Sequence, residues 1–294
     1  MKYIKHLGWI LLLVPCLFAF RQQEASVEKN SLFWEITGNR LKQPSYLFGT
    51  IHLITEKYFF MPNIVTDKFG DCKVLATEIN MDMTMAQKID LAVKTLLPNN
   101  ETIANHMDST SFVRLKKYMV EEANIKESKA EKYMRLKPFF LSSVILVEQL
   151  DDIKSYEEEF MKMAKKNKMT TIGLESINYQ FDVIDKVSIE NQVKLLMDGL
   201  EEEGGENQFD TLIKLYLSQN IDSLSAYSMA ESDYIPDFKL NFLDTRNANW
   251  IPVIEELIKD KSVFIAVGAG HLAGDTGVIA LLEAQGYSVK PLRD

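Results

Sequence analysis

Ser45-Tyr-Leu-Phe-Gly-Thr-Ile-His52-Leu53 and Ser262-Val-Phe-Ile-Ala-Val-Gly-Ala-Gly-His271-Leu272 stand near opposite ends of a 294-residue chain. Each is a short apolar run closing on Gly-x-x-His-Leu. Runs of this length, rich in aromatic and β-branched residues, predict strands. A glycine three residues before a histidine lets the backbone turn sharply or lets another group come close. Each imidazole is therefore expected at a strand exit, where α/β proteins place their sites.

Working outward, Ser31–Thr37 predicts a strand that pairs with 45–52 as a hairpin. The connecting loop, marked by Gly38-Asn39 and Pro44, is longer than the two-residue type. Pro62–Phe69 reads as a short helix. Lys73–Ile79 reads as a third strand, apolar enough to be buried on both faces. At the other end, Asn249–Lys259 predicts a helix, Ser262–Val267 a strand, Gly277–Gln285 a helix and Tyr287–Leu292 a last strand. From Thr84 to Tyr234 the chain is rich in Leu, Met, Glu, Lys and Gln. Apolar residues there recur at helical spacing, as in Ile89, Val93 and Leu96, or Leu212, Leu215 and Tyr216. At least five helices are expected, broken at Gly204-Gly205, with Met169–Leu174 returning to the sheet as a strand. The expected fold is α/β of mixed α+β character: a central mixed sheet formed by both chain ends, with a large helical middle insertion over about 84–234. Residues 31–294 then form one domain.

Apolar residues make up 46% of the chain and charged residues 26%, enough for a sizeable core. The formal charge of −9, with Lys and Arg interspersed among acids, excludes a general nucleic-acid binder. Two cysteines, Cys16 and Cys72, exclude a disulfide framework. Cys72 is expected to be a small, partly buried residue with no partner. Lys2, Lys5 and His6 precede an apolar run from Trp9 to Phe20, the pattern of a secretory signal peptide over residues 1–20. The run is short for a membrane span. Residues 21–30 read as a linker. Leu13-Val14-Pro15-Cys16 is similar to a lipoprotein box, with Pro15 where a small residue is wanted. The protein is expected to be exported, periplasmic or extracellular, with any membrane contact through a lipid at Cys16.

Of four histidines, His6 lies in the leader, leaving His52, His106 and His271. His106 follows Asn105 in a polar stretch and reads as a surface residue. Glu78 ends the third strand in an apolar setting, where a carboxylate is costly unless paired or bound to a metal. Two imidazoles and a carboxylate are usual donors for a divalent transition metal. Such a metal acidifies water and polarises carbonyls. Glu78 can serve as third ligand or as general base. Gly268-Ala-Gly270-His-Leu-Ala273 also fits a dinucleotide fingerprint. The chain ends about 20 residues later, which leaves no room for the rest of that unit. The methionines at 81, 83 and 85 and the pair Phe139-Phe140 read as core.

Ser45 to His52, Ala76-Thr-Glu78, Gly173-Leu-Glu-Ser176 with Gln180, Arg246-Asn247 and Val263 to Gly274 together resemble the TraB/PrgY/GumN family, to which the Tiki metalloproteases are related. The matches occur in the family's order across roughly residues 31–292. The resemblance implies that both Gly-x-x-His motifs and the acid after the first form an active site. It also implies a divalent metal: manganese or cobalt as in Tiki-type peptidases, or zinc. Arg246 then holds a substrate carboxylate, pairs with Glu78, or braces its helix; Glu175 and Gln180 read as structural. The function expected is metal-dependent hydrolysis of a peptide or protein, with His52, Glu78, His271 and Arg246 at the site. The alternative is a non-catalytic exported protein that sequesters a peptide, iron or haem.

Overall fold

A computed structural model describes residues 30–200, 208–230 and 235–293. The leader, the lipoprotein-like box and Gly204-Gly205 lie outside the described residues. Six strands form the main sheet: β1 (Phe33–Gly38), β2 (Ser45–Thr50), β4 (Val74–Ile79), β6 (Thr170–Glu175), β7 (Val263–Gly268) and β8 (Tyr287–Pro291). Their order is β6-β4-β7-β2-β1-β8. The first four neighbours run parallel, while β1 is antiparallel to both β2 and β8. The sheet is mixed and built from both chain ends, as the sequence predicts. Two short strands, β3 (Ile54–Thr55) and β5 (Ile153–Lys154), pair separately and had no sequence signal, being two residues each.

Every residue of β2, β4 and β7 is buried, because helices or further chain cover both faces. On one side Phe48 and Phe264 meet Phe69 of α1 (Asn63–Asp71) and Phe160 of α6 (Tyr156–Lys166) in a continuous aromatic cluster. Ring centroids in these contacts lie 4.8–5.4 Å apart, and each fully buried ring contributes about 1.5–3 kcal/mol over exposure. The helices α11 (Thr245–Ile258) and α12 (Val278–Ala284) pack against each other and on β6 and β8.

Between residues 84 and 230 the described chain forms nine α-helices, α2 (Met85–Lys94) to α10 (Ile221–Ala230). Much of this insertion builds a second apolar cluster around Phe139, Phe140, Phe181 and Phe242. The helices start where side chains can cap them: Thr84 and Gln87 form a capping box, and Ser155, Ser176 and Ser188 accept from the first turn. Two expectations need correction. Of the methionines read as core, Met85 is exposed and Met81 and Met83 are only partly buried; Ile89 and Val93 also face outward, because α2 buries only Leu91. Cys72 is a free cysteine as expected, but it is fully rather than partly buried, its Sγ lying 3.3 Å from the Lys68 carbonyl and 3.4 Å from Ser262 Oγ. Among the described residues no helix is long and apolar enough to cross a membrane.

Candidate active site

Parallel pairing brings the carboxyl ends of β2, β4, β6 and β7 to one edge of the sheet. His52 follows β2, Glu78 lies in the last turn of pleat of β4, Glu175 ends β6, and His271 follows β7. His52, Glu78, Arg246 and His271 all line one cavity of about 130 Å³. Its floor is the strand ends, and its roof is helical, with Val183, Ile184, Leu224 and Phe242 among the lining residues. It sits at the seam between the sheet core and the helical cluster.

The two glycines of the paired motifs work by close approach. Neither has a left-handed backbone. A Cβ on Gly49 would meet Leu272 Cδ1 at 2.7 Å and Ala269 at 3.1 Å, so the first motif makes room for the loop of the second. A Cβ on Gly268 would lie 3.2 Å from His52 Nε2 and 3.3 Å from Glu78 Oε1, so the second motif makes room for the imidazole of the first. The Gly268 N–H also donates to Glu78 Oε1 at 2.8 Å.

Both imidazoles are held from behind. Glu157, in the first turn of α6, takes His52 Nδ1 at 2.9 Å and Thr50 Oγ1 at 2.6 Å on one oxygen, and Ser155 Oγ at 2.8 Å on the other. A helix amino end suits that carboxylate. A carboxylate partner on Nδ1 makes that nitrogen the donor, so that the neutral ring carries its lone pair on Nε2, toward Gly268 and Glu78. For His271 the assignment follows from Asn247. Its Nδ2 donates to the carbonyls of Thr276 and His271, so its Oδ1 accepts from His271 Nδ1 at 2.6 Å. His271 Nε2 then carries a lone pair, which accepts from Arg246 Nη1 at 3.1 Å and lies 3.8 Å from Glu78 Oε1.

Arg246 is the hub. Nη2 donates to Glu78 Oε2 and Glu175 Oε1, both at 2.6 Å, Nε donates to Glu175, and Nη1 also donates to the Phe242 carbonyl. Every N–H of the guanidinium has an acceptor, so none remains for a substrate carboxylate in this arrangement. The plane lies over Trp250, 4.9 Å from its ring, and Trp250 Nε1 donates to Glu175 at 3.0 Å. Glu175 and Gln180, which the sequence suggested were structural, therefore belong to the site network. Gln180 Nε2 donates to Glu78 Oε2 at 3.2 Å, while its buried Oε1 meets no group among the described residues.

The charges follow from this packing. Burial opposes ionisation of Glu78, but Arg246, then His271, His52 and the Gly268 N–H outweigh it and hold the carboxyl well below the usual range. Burial, then Arg246, pushes His271 down to about 3, so it is neutral at physiological pH. Burial also works against charged His52, yet Glu157 and then Glu78 prevail and raise its pKa. His106 stands apart, bonded to Glu101 at 2.9 Å and lining no part of the cavity.

A metal fits the donor types here: two Nε2 lone pairs and a buried, ionised carboxylate. Glu78 and Glu175 pair with the Arg246 guanidinium and Glu157 pairs with His52, so buried carboxyl groups outnumber the one guanidinium, an excess of negative charge that a dication would balance. Among the described residues no three His, Cys, Asp or Glu side chains already stand at coordinating separation. Arg246 Nη1 shares the lone pair of His271 that a metal would need.

Compared with known proteins, the chain matches the TraB/PrgY/gumN family over residues 32–291. It is 24% identical to metalloprotease TIKI2 of Xenopus tropicalis over 89% of its length, and 24% identical to metalloprotease TIKI1 of the same frog over 88%. It is 20% identical to a metalloprotease TIKI homolog of Amphimedon queenslandica over 90%. The chain spans 60–62% of the length of these relatives. No solved structure matches.

Proposed function

Because the chain belongs to the TraB/PrgY/gumN family, we propose that it is an exported metal-dependent hydrolase of peptide bonds. The observation that carries this reading is the pair of imidazoles whose Nδ1 atoms are tied down and whose Nε2 lone pairs face a buried carboxylate in one cavity. The TIKI metalloproteases, to which the chain is similar, supply the reaction class. His52, His271 and Glu78 would hold the ion, which is manganese, cobalt or zinc. When bound, it would polarise a substrate carbonyl and acidify an attacking water.

The chain's own residues do the rest. Glu157 and Asn247 fix the tautomer and aim of the two imidazoles, as outer partners of metal-binding histidines do. Glu78 is held ionised at neutral pH, which suits a ligand; its weak proton affinity makes it a poor general base while Arg246 is in contact. Arg246 holds Glu78 and Glu175 together and keeps His271 uncharged. The apolar roof excludes water and raises the strength of each polar contact on the floor. Secretion through residues 1–20, or alternatively processing before Cys16 with a lipid on that cysteine, would place the enzyme outside the cytoplasm.

The test is elemental analysis of purified protein with a peptide-cleavage assay, with and without chelator. Bound metal together with chelator-sensitive cleavage supports the reading. Metal without cleavage of any peptide moves the protein to the binding reading, in which the same residues sequester their ligand.

A further inference from the structure

Gln180 sits on α7 (Ile177–Asp185), at the point where the polar floor of the cavity meets its apolar roof. Its amide orientation is settled, because a carboxylate only accepts, and Nε2 donates to Glu78 Oε2. Oε1 is thereby left as a buried acceptor that no group among the described residues meets. Buried polar atoms without a partner are rare and call for one. The partner must bring an N–H or O–H donor into a cavity where Val183, Ile184, Leu224, Phe242 and Leu243 line the helical side, opposite the polar strand ends and beside Tyr216 and Ser228. At about 130 Å³ the cavity is close to the size that accommodates one benzene-sized apolar group.

From these two observations we infer that the cavity is a subsite for one Leu-, Met- or Phe-sized residue of an extended peptide. The apolar side chain enters under the helical roof, and that residue's backbone N–H donates to Gln180 Oε1. Gln180 is thus a substrate-binding residue, distinct from the groups proposed to hold the metal. The inference deepens the peptidase reading by naming the substrate class, and it rests on that reading only for what happens after binding. The geometry has a selective consequence: a Gly leaves the apolar walls uncovered, and an Asp places a charge against them.

The test is equilibrium binding to chelator-treated protein, followed by NMR titration, so that no peptide is consumed. The probes are blocked tripeptides Ac-Gly-X-Gly-amide with X as Leu, Gly, Asp or N-methyl-Leu. Leu is expected to bind at least tenfold more tightly than Gly or Asp, within the discrimination that apolar pockets achieve. N-methylation of the Leu amide is expected to weaken binding at least threefold in wild type. It should have no effect in Gln180→Met, which keeps the side chain's size and loses the acceptor. Met229→Trp, at a partly buried lining position, should fill the space and bring the Leu-to-Gly ratio near one. Equal binding of Leu and Gly, or an N-methyl effect that persists in Gln180→Met, overturns the inference. A parallel cleavage assay with manganese separates the two readings. The expected binding pattern without any cleavage sinks the peptidase reading and leaves the subsite standing; cleavage without preference for Leu over Gly does the reverse.

Discussion

Replacing Arg246 by Met removes the guanidinium and keeps most of the side chain's bulk over Trp250. In the native protein its side chain is 9% exposed, and those of Glu78 and Glu175 are 4% and 5% exposed. The substitution therefore leaves two buried carboxyl groups without their cation. Breaking a buried ion pair from one side costs about 3–5 kcal/mol. For a chain of this size each kcal/mol moves the melting temperature by about 2–4 °C, so the expected loss is roughly 6–20 °C. The assay is thermal unfolding of chelator-treated protein at neutral pH and at lower pH. The sign of the pH effect follows from Glu78. Its pKa is lowered in the folded state, so its contribution is present above the unfolded value of about 4.5 and fades as pH falls toward the folded value. Removing Arg246 removes the largest cause of that lowering. The gap between wild type and variant should thus be widest near neutral pH and narrow below about pH 4.5. The same variant should bind manganese more tightly, because a positive charge leaves and His271 Nε2 is freed. A melting temperature within about 2 °C of wild type at neutral pH, or a gap unchanged at low pH, would refute the account of Arg246 as the electrostatic hub.

Four further outcomes are expected. His52→Ala and His271→Ala should each lose bound metal and cleavage, and Glu78→Gln should lose both as well; His106→Ala, whose ring bonds Glu101 away from the cavity, should match wild type in metal content and turnover. Glu157→Ala should weaken metal binding by about 10–100-fold, the usual cost of losing an outer partner of a histidine ligand, read by competition with a chromophoric chelator. Gly268→Ala should also impair metal binding, because its methyl would press on His52 Nε2 and Glu78 Oε1 at 3.2 and 3.3 Å; unchanged affinity would show that the close approach is not needed. Mass spectrometry of the mature protein should find residues 1–20 removed or a lipid on Cys16; a retained Met1 would end the export proposal.

The strands were legible because their apolar runs are short and punctuated by Gly, Pro and Asn, and because burial on both faces leaves little choice of residue. The repeated Gly-x-x-His motif and the costly Glu78 identified a candidate site for the same reason: polar residues at the end of an apolar strand need an explanation. Glu157 was missed, since among Glu158 and Glu159 it reads as one acid of a solvated helix. Only the turn from β5 into α6 points it inward, under His52, where Thr50 and Ser155 complete its shell. Gln180 and Glu175 read as structural from the sequence. Sequence spacing carries no information on which side chains cross a seam between two cores. Arg246 was left between three roles, and tertiary packing favours pairing with Glu78, because all its donors find acceptors from β4, β6, the 240–244 turn and the second histidine. Local pattern thus determined the elements and marked the chemistry-bearing ends, through rules that act over a few residues. Which of those ends meet, and which carboxylate stands behind which imidazole, depended on contacts between residues as far apart in the chain as Gly49 and Leu272, where only the folded chain's geometry and charge balance decide.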